Sequence, residues 1–288
     1  PAARVASAVA GGPGAAAPPA PREIAGPGWD TDGRTYSSVV ELWSGEFGDA
    51  DGKRRWYAKG AEYWKDREVS LDGILGGYGV THEPDVKESR QFLEALRGLP
   101  TPPVFEVALD AGAGIGRVAK SLLQDFCQTV DMVEPNERFL EAAQKALAPE
   151  KVGRCEAKPL QLFEPDEGRY DLIWAQGVLL YLPDDDLVSF LDRCKRSLRE
   201  NGVFCVKDNV TLGKFWVDRE DNSIARTDEQ MKAVFARAGM ELVRTARQEV
   251  WPEGLLPVVM YAFRPAARRQ ADGSEAAPPS AGAAGEAT

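Results

Sequence analysis

From residue 104 onward, short apolar runs alternate with stretches whose apolar residues recur every three or four positions. The runs predict β-strands and the spaced stretches predict amphipathic helices. Strands are expected over 104–111, 129–134, 170–175 and 203–207, with a weaker one over 152–158. Two more, 240–248 and 258–263, close the series. Helices are expected over 117–126, 137–147, 184–198 and 228–238. In the second of these, Phe139, Leu140, Ala143 and Leu147 share one face, and Asn136 is placed to cap its start. Asp184, Asp185 and Asp186 suit the positive end of the third, and Gly202 and Gly239 read as helix stops. This alternation predicts an α/β fold, a mainly parallel seven-stranded sheet with helices on both faces. Ahead of it, 56–65 and 89–96 read as helices of an N-terminal extension outside the doubly wound core.

The chain has 288 residues, and its two ends lack any such pattern. Residues 1–28 are mostly Ala, Pro and Gly, and 265–288 are similar with Ser and Glu added. Neither could bury enough apolar surface to offset its ordering entropy, so both are expected to be disordered tails around a domain spanning 56–264. Residues 29–55 differ: Trp29, Tyr36, Val39, Val40, Leu42, Trp43 and Phe47 are too apolar for a plain linker. They suit an extra strand or helix docked on the domain. The net charge of −10 argues against a nucleic-acid surface, which needs clustered Lys and Arg; it suits a basic substrate, although a solvated acidic surface is the commoner source of such a charge. No run of 18 apolar residues exists, so no membrane span is expected. A transit peptide fits the Gly- and Pro-rich start poorly. The four cysteines form no C-x-x-C pair, which points to a reducing intracellular compartment, cytoplasmic or nuclear. One histidine, His82, in a glycine-rich loop region and no Cys cluster leave neither a zinc site nor a Ser-His-Asp triad, and no metal is expected.

The densest chemistry is Asp110-Ala-Gly-Ala-Gly-Ile-Gly-Arg117, between the first predicted strand of the core and a helix. Glycines there let backbone approach a ligand where any Cβ would clash. Twenty residues beyond Gly114, Glu134 ends the next strand, where a carboxylate can accept both hydroxyls of a ribose. A dinucleotide fingerprint wants its third glycine three residues after the second; that position is Arg117, and the third glycine, Gly116, comes one earlier. The pattern resembles motif I of S-adenosylmethionine (AdoMet)-dependent methyltransferases. Further marked residues fall at the C-terminal ends of predicted strands, where ligands of open α/β sheets bind: Leu160-Gln161, Gln176-Gly177 and Asp208-Asn209.

Four motifs together resemble one family, the protein α-N-terminal methyltransferases that modify Xaa-Pro-Lys/Arg N-termini. They are Tyr63-Trp64-Lys65, Asp72-Gly-Ile-Leu-Gly-Gly-Tyr-Gly79, Leu109 through Arg117, and Val206-Lys-Asp-Asn209. The resemblance implies AdoMet as cofactor, S-adenosylhomocysteine as product, and protein or peptide N-termini as substrate. It implies that Gly112 and Arg117 contact the methionine part, Glu134 the ribose, and Leu160 and Gln161 the adenine. Gln176 would lie near the methionine end, and Gly114, Gly116 and Pro135 complete the cofactor-binding set. Trp64, Leu75 and Gly76 would wall the peptide channel and Asn209 would bind the substrate backbone. In the acidic loop 217–223, Asp218 would receive the basic third residue, with Asp221 and Ser223 near the α-amine. Three positions depart from the family: Gly177 stands for Trp, Tyr181 for His, and the 255–257 stretch for a pocket Tyr.

Methyl transfer to an amine is an in-line displacement at a sulfonium, and the protein chiefly positions a neutral amine. An α-amine titrates near ~7.8, so no strong base is needed. Asp221 is the expected acceptor that orients the lone pair, helped by Asn209 and Tyr181, the last a poor base at neutral pH. A small-molecule amine methyltransferase would share the cofactor half. A cofactor-binding module without turnover is a third reading. A nucleobase methyltransferase would want an Asn/Asp-Pro-Pro-aromatic tetrad or a Pro-Cys pair, and the chain has neither.

Overall fold

A computed structural model describes residues 26–266. The two stretches read as tails therefore lie outside the described residues, apart from 26–28 and 265–266. The chain opens with strands β1 (Gly28–Asp30) and β2 (Thr35–Tyr36) and helices α1 (Val39–Glu46), α2 (Gly52–Lys65), α3 (Leu71–Ile74) and α4 (His82–Leu96). Then follow β3 (Val107–Ala111), α5 (Gln124–Phe126), β4 (Thr129–Val133), α6 (Glu137–Ala146), β5 (Val152–Glu156), β6 (Tyr170–Gln176) and α7 (Asp184–Ser197). The last part comprises β7 (Leu198–Thr211), β8 (Phe215–Asp218), β9 (Ser223–Thr227), α8 (Asp228–Arg237), β10 (Met240–Arg247) and β11 (Val258–Pro265).

Seven strands form the central sheet in the order β5-β4-β3-β6-β7-β11-β10. β11 runs antiparallel to both neighbours; the pairs from β5 to β7 are parallel. Side-chain alternation along each strand feeds two cores. Leu109, Ile173, Ala175, Phe204 and Val206 pack on one face with Leu187 and Phe190 of α7 and Val234 and Phe235 of α8. Ala108, Leu172, Trp174, Val203 and Cys205 face the other way, toward Phe92 and Leu93 of α4 and Leu140 and Ala143 of α6. Chain order reverses between β3 and β6, and the crevice at such a reversal is where ligands of open α/β sheets bind.

Several elements differ from the sequence expectation. The helix expected over 117–126 contains a π-helical turn, Ala119–Leu123, before α5. The helix expected over 184–198 ends at Ser197, and Gly202 does not stop it. Gly202 lies within β7, where a Cβ would stand 2.9 Å from the Tyr170 carbonyl oxygen, beside a register shift between β6 and β7. α4 begins at His82, so this histidine opens a helix rather than sitting in a loop. Pro84 is tolerated there because first-turn N–H groups have no intrahelical partner.

β7 is far longer than the expected 203–207. Its last residues, Val210 and Thr211, leave the central sheet and pair with β9. β9 pairs with β8 and β8 with β1, which makes a second small sheet, β2-β1-β8-β9. Residues 28–46 thus supply an inner strand, its hairpin partner at the sheet edge, and a helix. Tyr36, Val39 and Leu42 are buried in the same core as Phe215 and Val217.

Candidate active site

The glycine loop leaves β3 at the crevice. Asp110 closes its base by accepting the Ala119 N–H at 3.0 Å. Gly112 and Ala113 donate to the Val133 carbonyl, which ties the loop to the end of β4. Gly112 has φ 79°, and a Cβ there would lie 2.5 Å from Val178, so both conformation and space demand glycine. Glu134 caps the loop: one carboxylate oxygen accepts Gly114 N–H at 3.0 Å and the other accepts Asn136 N–H at 2.9 Å. Burial raises its carboxyl while those two N–H groups lower it, with a net upward shift. Each oxygen keeps a lone pair, so the group can still accept two neighbouring hydroxyls.

Beside the loop lies a buried polar network. Arg117 donates to one oxygen of Asp85 at 2.6 Å, and Gln176 donates to the other at 2.8 Å. The Lys207 ammonium lies 2.7 Å from Asp85 and also donates to Ser89 and Gln248. Burial pushes the Asp85 carboxyl up, but the two cations outweigh it and hold it below its ordinary value. Burial also lowers the Lys207 ammonium, opposed by Asp85. Two cations against one carboxylate leave a net +1 on this wall. A ligand carboxylate would neutralise it. His82 Nδ1 is 3.4 Å from Arg117, and burial and then that guanidinium lower its pKa.

These groups line a cavity of about 1370 Å³ that continues past the loop toward α2 and the small sheet. At its far end Trp64 donates from Nε1 to the Tyr181 hydroxyl at 2.9 Å, and that hydroxyl donates to Asp221 at 2.8 Å. Burial, followed by the Asp221 charge, raises the Tyr181 phenol well above its ordinary value. Burial likewise raises the Asp221 carboxyl, against hydrogen bonds from Ser223 and Tyr181. Asn209 donates to the Leu256 carbonyl at 3.3 Å, which leaves its carboxamide oxygen available to a ligand.

Of the residues singled out in the sequence, Gly112, Gly114, Arg117, Glu134, Pro135, Leu160, Gln161 and Gln176 lie together on the cavity wall with Trp64, Leu75, Tyr181 and Asn209. Gly116, Gly76, Asp218, Asp221 and Ser223 do not. A Cβ on Gly116 would meet Ala143 of α6 at 2.8 Å, so this glycine serves close helix packing. Asp221 is not on the wall itself; it accepts from the hydroxyl of Tyr181, which is on it. Asp218 accepts the Glu220 N–H in the turn after β8. No atom lies within 4 Å of where a Gly177 Cβ would stand, so the site is open there. Leu255 and Leu256 line the wall, joined by Trp251 and Trp216, which the sequence pattern did not mark. Asp85 was also missed, since nothing local marks one first-turn carboxylate of a helix as a bridge between cations.

A model of the AdoMet-dependent proline di-methyltransferases matches residues 52–264. The chain belongs to this family. The alpha N-terminal protein methyltransferase 1 of Arabidopsis thaliana is 41% identical over 248 residues, covering 82% of this chain and 90% of that one. The Xenopus laevis N-terminal Xaa-Pro-Lys N-methyltransferase 1-B is 40% identical over 213 residues, 73% of this chain and 96% of its own. A solved AdoMet-dependent methyltransferase of Leishmania major superposes with a TM-score of 0.79 at 38% identity, covering 88% of this chain and all of that one.

This methyltransferase is an AdoMet-dependent enzyme, and its cavity fits that group. The loop offers close backbone approach, Glu134 offers acceptors for a diol, and the Arg117–Asp85–Lys207 wall carries the charge that a carboxylate would neutralise. Among the described residues no group of three His, Cys, Asp or Glu side chains could hold a metal ion, and no helix is long and apolar enough to cross a membrane.

Asp208 sits in the same wall with one oxygen accepting Asn209 N–H and the other buried without a partner. Burial pushes its carboxyl to about 7, against Asn209 N–H and Arg226. Asp110 is pushed to about 7 for the same reason. Below pH ~4 both are protonated whether the chain is folded or not. As pH rises toward 7 the unfolded chain releases these protons while the folded chain holds them, so stability is lost across that window. Asp208→Asn is expected to gain in melting temperature relative to the wild type between pH 5 and pH 8. Parallel melting curves at the two pH values would refute this.

Proposed function

We propose that this enzyme transfers methyl groups from AdoMet to the α-amine of protein N-termini that begin Xaa-Pro-Lys/Arg. The observation that carries the reading is the single cavity that joins a cofactor half to a second half walled by Trp64, Tyr181, Asn209, Trp216 and Leu256. At about 1370 Å³ it has room for a second ligand beside the cofactor. The names of the Arabidopsis and Xenopus relatives support the same reading. The four free cysteines fit a reducing compartment, cytoplasm or nucleus.

In this reading Glu134 holds the ribose, Leu160, Gln161 and Pro135 border the adenine, and Gly112, Gly114, Arg117 and Gln176 face the methionine part. Trp64 and Leu75 wall the peptide channel, and Asp218 lies toward the substrate's basic third residue. Bound AdoMet supplies an electrophilic methyl group. The residues of the chain orient a neutral amine against it. The Tyr181 proton is committed to Asp221, so its oxygen remains an acceptor for an amine N–H, and Asn209 offers a second. Together they would aim the lone pair, with Asp221 fixing Tyr181 and not touching the amine itself. No strong base is required, since a useful fraction of α-amine is already neutral near pH 7.

The test is incubation with AdoMet and a peptide beginning Ser-Pro-Lys-Arg, read by mass in single-methyl increments. Controls are an N-acetylated twin and a Pro-to-Ala twin. Methylation of the free Pro peptide alone is the expected result. Equal labelling of the blocked twin, or activity confined to small amines, would overturn the reading.

A further inference from the structure

The matched family region starts at residue 52, yet residues 28–47 pack from outside against the wall at the far end of the site. β1 pairs in parallel with β8, and Thr31 N–H donates to the Val217 carbonyl. A Cβ on Gly28 would lie 2.2 Å from the Phe215 ring, so the strand seats directly on that side chain. Trp29 packs on Trp216, a wall residue of the cavity, with ring centroids 5.9 Å apart.

Arg219 is the knot. Its backbone N–H donates to Thr31 Oγ1 at 2.8 Å. Its guanidinium donates to Asp30 at 3.0 Å, to the Tyr36 hydroxyl at 2.6 Å and to Glu46 at 2.8 Å. Asp30 and Tyr36 are buried and the Arg219 and Glu46 side chains are 14% and 23% exposed, so three partners from outside the matched region hold one largely buried arginine. Arg219 is two residues from Asp221. The other end of the Tyr181–Asp221 hydrogen bond is held from the same side: Trp43 stacks edge-on against Trp56, and Trp56 Nε1 donates to the Tyr181 carbonyl at 2.9 Å. Among the described residues no side-chain hydrogen bond or ion pair joins 28–47 to the cofactor half, from Gly112 to Gln176.

We infer that residues 28–47 form a clasp that positions the peptide-binding end of the site, with Arg219 as its positioning residue. The inference rests on the proposed peptide substrate. The clasp holds the 218–221 loop and the Tyr181 backbone in one register, so that Tyr181 and Asp218 are placed before the peptide arrives. Loosening it leaves AdoMet binding intact and weakens peptide binding.

The test uses the full chain with Arg219→Gln, Arg219→Lys and Tyr36→Phe. Peptide KM and kcat are measured with the Ser-Pro-Lys-Arg peptide, and AdoMet Kd by calorimetry. Arg219→Gln is expected to raise peptide KM about tenfold or more, the size expected for losing hydrogen bonds to charged groups. AdoMet Kd should stay within about twofold. Arg219→Lys should recover part of the KM, since an ammonium keeps the charge but not the fork. Tyr36→Phe, which keeps the ring and deletes one partner, gives a smaller rise in the same direction and covers the case in which Arg219→Gln does not fold. Unchanged peptide KM in the variants, with an active wild type, overturns this inference alone. So does an AdoMet Kd that rises in step with KM, because Arg219 then supports the whole fold. A wild type that leaves the peptide unmethylated overturns the functional reading and this inference with it.

Discussion

Replacement of Asp85 by alanine is expected to destabilise the protein by about 3–5 kcal/mol, the cost of removing one partner from a buried ion pair. Asp85 is the carboxylate between Arg117 and Lys207, which are 7% and 1% exposed. Without it two buried cations face each other with no anion. Gln176 also loses its acceptor. For a domain of this size the melting temperature should fall by roughly 10 °C. Adding Lys207→Met to Asp85→Ala should recover much of the loss, because the surplus charge goes with the lysine. Chemical denaturation of the wild type, the single and the double variants measures all three terms. A single variant with the wild-type midpoint would show that the network contributes nothing to folding.

Tyr181→Phe is expected to lower kcat about 100-fold while AdoMet affinity stays the same. The ring keeps its edge contact with Trp64 at 6.4 Å, so packing is preserved. What disappears is the hydroxyl that accepts from Trp64 and donates to Asp221, and with it the proposed acceptor for the amine. The pH profile separates orientation from base catalysis. Rate should rise with pH until the α-amine is neutral, near pH ~8, and then level off. Burial holds the Tyr181 phenol well above that range, so it does not titrate there. The variant should therefore keep the wild-type inflection at a lower plateau. An unchanged kcat would remove Tyr181 from the chemistry, and a shifted inflection would make it a titrating base.

The order of strands and helices after residue 104 was legible because the signals are local. Period-two runs, three-to-four spacing and turn residues all concern near neighbours in the chain. The glycine loop and the carboxylate that caps it were legible for the same reason. Glu134 stands twenty residues from Gly114, one strand–helix–strand unit, so spacing alone places the carboxylate against the loop. The 214–216 segment was not legible. Phe215, Trp216 and Val217 form a strand only because the end of β7 leaves one sheet for another and β1 arrives on the other side. Gly202 misled for a related reason: its use is a close approach to Tyr170, which no local pattern announces.

Local sequence thus determined the α/β class, the strand order in the chain, the glycine loop with the carboxylate that caps it, and the apolar character of residues 29–47. Backbone conformation and amphipathic spacing are properties of neighbouring residues, so they can be read in one dimension. Only the tertiary structure decided that Asp85 bridges Arg117 and Lys207, the last 122 residues away. It also decided that Asp221 accepts from the Tyr181 hydroxyl, and that Arg219 is held from 173 to 189 residues upstream. Such pairings are set by which strand ends the sheet brings together. Buried charges then take whatever partner stands within hydrogen-bond reach, because leaving them unpaired in a dry interior costs more than any local preference can repay.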